Sequence, residues 1–143
     1  MDFVKLDVIS GANAGFDVQL THPGTAENLP LFIRVLGSDS DEYRRIEAEQ
    51  NRKRIDKVWK GGVFRASAQT AEETEEQTIT KLASVTKEWG EVLADGTKRA
   101  SFENKGKLLE CSVENAALLY RENPWVKEQV FAAVNDRQNF IKG

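Results

Sequence analysis

Few residues in this 143-residue sequence have side chains suited to chemistry, and their spacing builds no catalytic pattern. His22 is the only histidine and stands directly before Pro23 in a turn-rich stretch. With no second histidine and no neighbouring Ser or Cys nucleophile, an exposed turn role outweighs a general base. Cys111 is the only cysteine, so an intrachain disulfide is excluded. A helix start beside it would lower a thiol pKa, but Leu108, Leu109 and Val113 around it favour a small buried hydrophobe. Glu72, Glu73, Glu75 and Glu76 crowd together, yet a hard-cation site needs oxygens converging from a loop or several elements. A solvated helix start, favoured by the helix dipole, accounts for them. Arg52-Lys53-Arg54 with Lys57 and Lys60 suit phosphate, but Glu47, Glu49 and Asp56 interleave with them, the pattern of a solvated helix face. Gly61-Gly62 has no Walker lysine or Rossmann glycine pattern after it. The expectation is a protein that is not an enzyme and has no cofactor and no metal ligand.

The bulk properties agree with a binding role. Charged residues make up 30% and hydrophobic residues 40%, the composition of an ordinary globular chain rather than a disordered one. A net charge of −3 argues against nucleic acid as a partner. No apolar run is long enough to span a bilayer, so no membrane partner is expected. MDFVKLDV lacks the basic-then-apolar order of a signal peptide, which points to the cytoplasm.

The elements that position these residues are read from periodicity. Phe16, Val18 and Leu20 alternate with Asp17 and Gln19, a half-buried strand over Phe16–His22. THPGTAEN is turn-rich, and Leu29, Leu31, Ile33 and Val35 then share one face, so Leu31–Leu36 pairs with the first run as an antiparallel hairpin. Phe32 and Leu36 interrupt the opposite face, which is therefore partly covered too. A hairpin alone is marginal, and Phe3–Val8 is a candidate third strand. Ser38-Asp39-Ser40-Asp41 supplies helix caps, and a helix runs from Asp41 to about Lys60 with acid-first pairs Asp41/Arg45, Glu49/Lys53 and Asp56/Lys60.

Gly61-Gly62 is the clearest break, dividing residues 1–61 from 62–143 unless the chain is one continuous domain. A second helix is expected over Thr70–Glu88, with Ile79, Leu82, Ala83, Thr86 and Trp89 at helical spacing and Gly90 as its C-terminal cap. Ala94-Asp95-Gly96-Thr97 is a turn, and Leu108-Leu109 a short extended segment. Ser112 caps a short helix to Tyr120. Asn123 caps the last one, with Pro124 at its first position and Val126, Val130, Ala133, Val134 and Ile141 as its core stripe. Ser101-Phe-Glu-Asn104 echoes Ser112-Val-Glu-Asn115, too short a match for a repeat. The fold class is α+β, mainly α: an N-terminal β-hairpin, with three strands if Phe3–Val8 joins, packed on a helix and followed by a helical C-terminal half.

Trp59, Trp89 and Trp125 are each placed at a helix end, where an indole buries its ring and keeps its N–H satisfied. Core packing is the default, and any left exposed marks a partner site, Trp125 first.

Four stretches, VQLTHPGT, IRVLGSDSDEYR, VTKEWGEVLADG and SVENAALLYRENPWVKEQVFAAVNDRQNF, together resemble the tail assembly chaperones of long-tailed (siphovirus-like) bacteriophages and prophages. They spread over most of the chain and cover Gly62–Lys81 least. The sequence departs from the family where Val113 replaces a proline common before the glutamate, and Asn104–Leu109 is extra. The resemblance implies a helper of the host bacterial cytoplasm, absent from the virion, that binds the tape measure protein, keeps its long helices soluble and recruits the major tail tube protein. It also implies that many relatives have a longer form made by ribosomal frameshifting. Self-association is a further candidate interaction. The mechanism would be an apolar groove in the helix-in-groove mode, lined by Leu118, Leu119, Trp125, Val130 and Phe131 where these are not core. The alternative is a structural tail or neck component of the virion. A third reading, a nucleic-acid accessory using Arg52–Lys60, predicts steeply salt-dependent binding.

Overall fold

The computed structural model describes residues 2–3, 7–60 and 70–141, with the side chains of 56–60 outside that description. It is α+β with 52% helix and 25% strand, so the helix-dominated expectation holds. The elements in chain order are α1 (Val8–Ala14), β1 (Phe16–Thr21), β2 (Asn28–Val35), α2 (Asp41–Lys60), α3 (Ala71–Val85), β3 (Thr86–Val92), β4 (Lys98–Arg99), β5 (Ser101–Asn104), β6 (Lys107–Glu110), α4 (Val113–Glu122) and α5 (Pro124–Asn135). A 3₁₀ turn, Arg137–Phe140, follows.

β1 and β2 form the expected antiparallel hairpin, with Val18 opposite Ile33 and a bulge between Gln19 and Thr21. β3 pairs with β2 as a third strand; of the expected strand Phe3–Val8, Val8 opens α1, and residues 4–6 lie outside the described residues. The cause is local. Asp7 caps α1, its Oδ1 accepting from the N–H groups of Ile9 and Ser10 at 3.0 and 3.1 Å, which satisfies the backbone in a helix start instead of a ladder. The sheet order is β1-β2-β3-β4, and β5 pairs with β6 in a separate ribbon. Strands of the main sheet therefore come from both sides of Gly61.

α2 begins and ends where the sequence places it, and Ser40, fully buried, caps it by accepting the Tyr43 N–H at 3.2 Å. Glu49 meets Lys53 at 3.5 Å as expected, but Arg45 pairs with Glu42 (2.7 Å) rather than Asp41. α3 stops three residues short of Glu88. The amide of Thr86 donates to Ala83 O and its hydroxyl to Leu82 O at 2.7 Å, closing the helix as the chain becomes extended. Trp89 consequently lies in a strand, opposite Ile33, and not at a helix end. Gly90 is no cap; it sits in the ladder opposite Phe32, where an added Cβ would lie 3.0 Å from Arg99 O.

Val18, Leu20, Ile33, Val35 and Trp89 face the helices, with α5 packing on β1 and β2 and α3 on β3. Buried residues from α3 (Ile79, Leu82, Ala83, Val85), α4 (Ala116, Leu119, Tyr120) and α5 (Val126, Val130, Val134) complete one core. Two polar groups lock it: Tyr120 OH lies 2.6 Å from Thr86 Oγ1, and the Trp89 indole N–H donates to Leu109 O at 3.0 Å while its ring stacks on Phe102 at 4.9 Å. Ile141, expected in the α5 stripe, is 36% exposed because the helix ends at Asn135. Phe140 is buried instead, edge-on to Phe16 at 6.0 Å.

Candidate functional site

Two surfaces are candidates, one on the C-terminal helices and one on the sheet. Ser112 caps α4, accepting from Asn115 N–H at 3.1 Å, as the sequence implies. Asn123 differs: its side chain makes no cap to α5 and donates back to Leu119 O at 3.0 Å, finishing α4. With Pro124 at the first position of α5, one fewer N–H needs a partner. The hairpin is then pinned to α3 by Arg121 on Glu76 and Lys127 on Glu75, each at 2.6 Å. Glu75 and Glu76 thus tie helices together; among the described residues no cluster of His, Cys, Asp and Glu could hold a metal.

Of the five residues expected to line an apolar groove, Leu119 and Val130 are buried core side chains and line no surface. Both lie on the inward stripes of their helices, spaced with Ala116 and with Val126 and Val134. Leu118 and Trp125 are half-buried, Trp125 against the core, and Phe131 stands 45% exposed. The Trp59 side chain lies outside the described residues.

The sheet presents the second surface. Its rows facing away from the core are Asp17–Arg34–Glu88 and Gln19–Phe32–Gly90, read across β1, β2 and β3. Phe32, the residue that breaks the polar face of its strand in the sequence, is half-buried beside the bare backbone of Gly90. Together with Val92, Lys98 and Ala100 they line a shallow groove of about 440 Å³. Arg34 is fixed at its rim, donating to Asp17 Oδ1 (3.1 Å) and Ala14 O (2.7 Å). The edge strand β1 is closed at Thr21 by Gln129 of α5, which accepts the Thr21 N–H (2.9 Å) and donates to the Thr21 O (2.8 Å).

Of the residues weighed for chemistry, His22 shapes a turn and Cys111 is half-buried. His22 is exposed, and its Nδ1 accepts the N–H groups of Gly24 and Thr25 at 3.0 and 3.2 Å, shaping the hairpin turn. Burial pushes the Cys111 thiol up to about 11, with the Glu88 carboxylate adding to the effect, so the thiolate is suppressed at neutral pH. Arg52 and Arg54 are exposed on α2, and the side chains of Lys57 and Lys60 lie outside the described residues. No helix among the described residues is long and apolar enough to cross a membrane.

No family model, curated protein or solved structure matches this chain.

Proposed function

We propose that the protein is a tail assembly chaperone of a long-tailed bacteriophage or prophage. It acts in the host bacterial cytoplasm, binds the tape measure protein and recruits tail tube subunits. The observation that supports this reading is Phe131, a large aromatic standing 45% exposed on a helix whose other apolar face is locked into the core. An aromatic anchor on a rigid helix suits an apolar helical partner, because little side-chain entropy remains to be lost on binding. The family-like segments build the scaffold behind it: IRVLGSDSDEYR runs from β2 through the Ser40 cap into α2, VTKEWGEVLADG forms β3 and its turn, and the last forms α4 and α5. Holding and release, not bond making, is the mechanism: the anchor shields apolar tape-measure segments until tube protein polymerises around them.

The test is co-purification from cells expressing this chain with the neighbouring tail genes, beside mass spectrometry of purified particles. Capture of a long helical tape measure protein, with this chain absent from virions, is expected. Phe131→Asp should abolish capture with only a modest change in thermal stability, since the side chain is 45% exposed already. Retained capture by that variant would remove Phe131 from the mechanism. Presence of the chain in finished particles at integral copy number would make it a structural tail or neck subunit.

A further inference from the structure

We propose that the open face of the β1–β4 sheet is a homodimer interface, seating a second copy of this chain about a two-fold axis that runs along β2 and β3. The case rests on the cross-strand pairs of that face. A two-fold axis between two neighbouring strands, parallel to them and above the sheet, lays each residue over the copy of its own cross-strand partner. Phe32 stands opposite Gly90, so each Phe32 ring enters the other copy's groove over Gly90, beside the Arg99–Ala100 backbone that walls it. Arg34 stands opposite Glu88, so each Glu88 carboxylate reaches the other copy's guanidinium. A large residue meets a missing side chain and a cation meets an anion, twice each.

The free molecule leaves these groups available. Glu88 is exposed and forms no ion pair among the described residues. Arg34 spends part of its fork of donors on Asp17 and Ala14, and a guanidinium has five N–H groups to offer. Phe32 is half-buried within its own molecule, flanked by the groove of about 440 Å³ that a second ring would fill. Aligned sheets pack about 10 Å apart and rotate by roughly 30°, so the central rows match best and the outer ones diverge. Strands of six, eight, seven and two residues present roughly 350 Å² in projection, below the ~800 Å² that each partner of a standard interface buries. The pair is therefore a reversible dimer whose population rises with concentration, and it is independent of the Phe131 surface.

Sedimentation equilibrium of the reduced full chain over a wide concentration range tests this. Wild type should move from monomer towards dimer and no further, because an isologous contact closes at two. Phe32→Glu should stay monomeric throughout, and Glu88→Arg, an exposed substitution that sets like charges together, should weaken association about tenfold or more. Wild type that remains monomeric, or that grows beyond dimer, overturns the proposal. So does a dimer that Glu88→Arg leaves unchanged while the variant melts with wild type.

Discussion

Substituting Thr86 by Val should cost more than deleting the hydroxyl of its partner Tyr120. Thr86 Oγ1 donates to Leu82 O at 2.7 Å, so the 2.6 Å contact with Tyr120 must have the tyrosine hydroxyl as donor. The Thr86 amide is committed to Ala83 O, which leaves its hydroxyl to satisfy the Leu82 carbonyl in the last turn of α3. Tyr120 is 1% exposed, so no water replaces a lost partner. Tyr120→Phe removes a donor and leaves Thr86 still bonded to Leu82, a cost of about 1 kcal/mol. Thr86→Val strands a buried hydroxyl and a carbonyl together, a cost of about 3 kcal/mol. The double variant removes the stranded hydroxyl and should cost only about 2 kcal/mol, well below the sum of the single changes. Urea unfolding followed by tryptophan fluorescence reads all three, and each kcal/mol should move Tm by about 3 °C in a chain of this size. A Thr86→Val cost no larger than that of Tyr120→Phe, or strictly additive costs, would refute the donor assignment.

Three further outcomes follow from other contacts. Gly11→Ala should destabilise by about 3 kcal/mol or more, because a methyl there collides with the backbone carbonyl of Phe140; thermal melts check it, and an unchanged Tm would mean the 3₁₀ turn moves freely. Gln129→Ala should cost about 1–2 kcal/mol and speed hydrogen exchange of the Thr21 amide, whose partner it removes. Cys111 should alkylate slowly at pH 8 and accelerate as pH nears about 11. Its folded pKa is raised, so the unfolded chain releases the proton first, and the linked stability, intact below the usual thiol value of ~8.5, falls as pH rises from there towards about 11. Iodoacetamide kinetics against pH, with parallel melts, decide both points.

The hairpin, α2 and the Ser112 cap were legible because each carries a local signal: period-two alternation, a run of cap residues, a Ser placed three residues before the N–H it accepts. β3 was not. Ile79, Leu82, Thr86 and Trp89 keep helical spacing across the junction, and period two fits Thr86–Val92 as well, so the choice falls to pairing with β2, as between Val35 and Thr86, a distant contact that periodicity does not record. Ser101-Phe-Glu-Asn104 and Ser112-Val-Glu-Asn115 make the same point: near-identical tetrapeptides become a strand and a helix start. The first is followed by Lys105 and Gly106 at φ 52° and 79°, a tight hairpin turn, and the second by a run of helix formers. The burial of the groove candidates was half legible: Phe131 is exposed, but Leu119 and Val130 face the core, because an apolar stripe looks the same whether it faces a core or a partner. The open sheet face left one sign, Phe32 on the polar side of its strand, and the glycine opposite it is identifiable only once the strands are paired.

The clip that Gln129 places on Thr21 joins residues 108 positions apart, and this sets an order on biogenesis. β1 emerges before α5, so the outward N–H and C=O of Thr21 stay open until α5 has been made. An unpaired strand edge templates other chains, and neighbouring ribosomes on one message hold such edges close together. Slower synthesis through α4 and α5 should therefore lengthen the time for which that part of the edge is exposed.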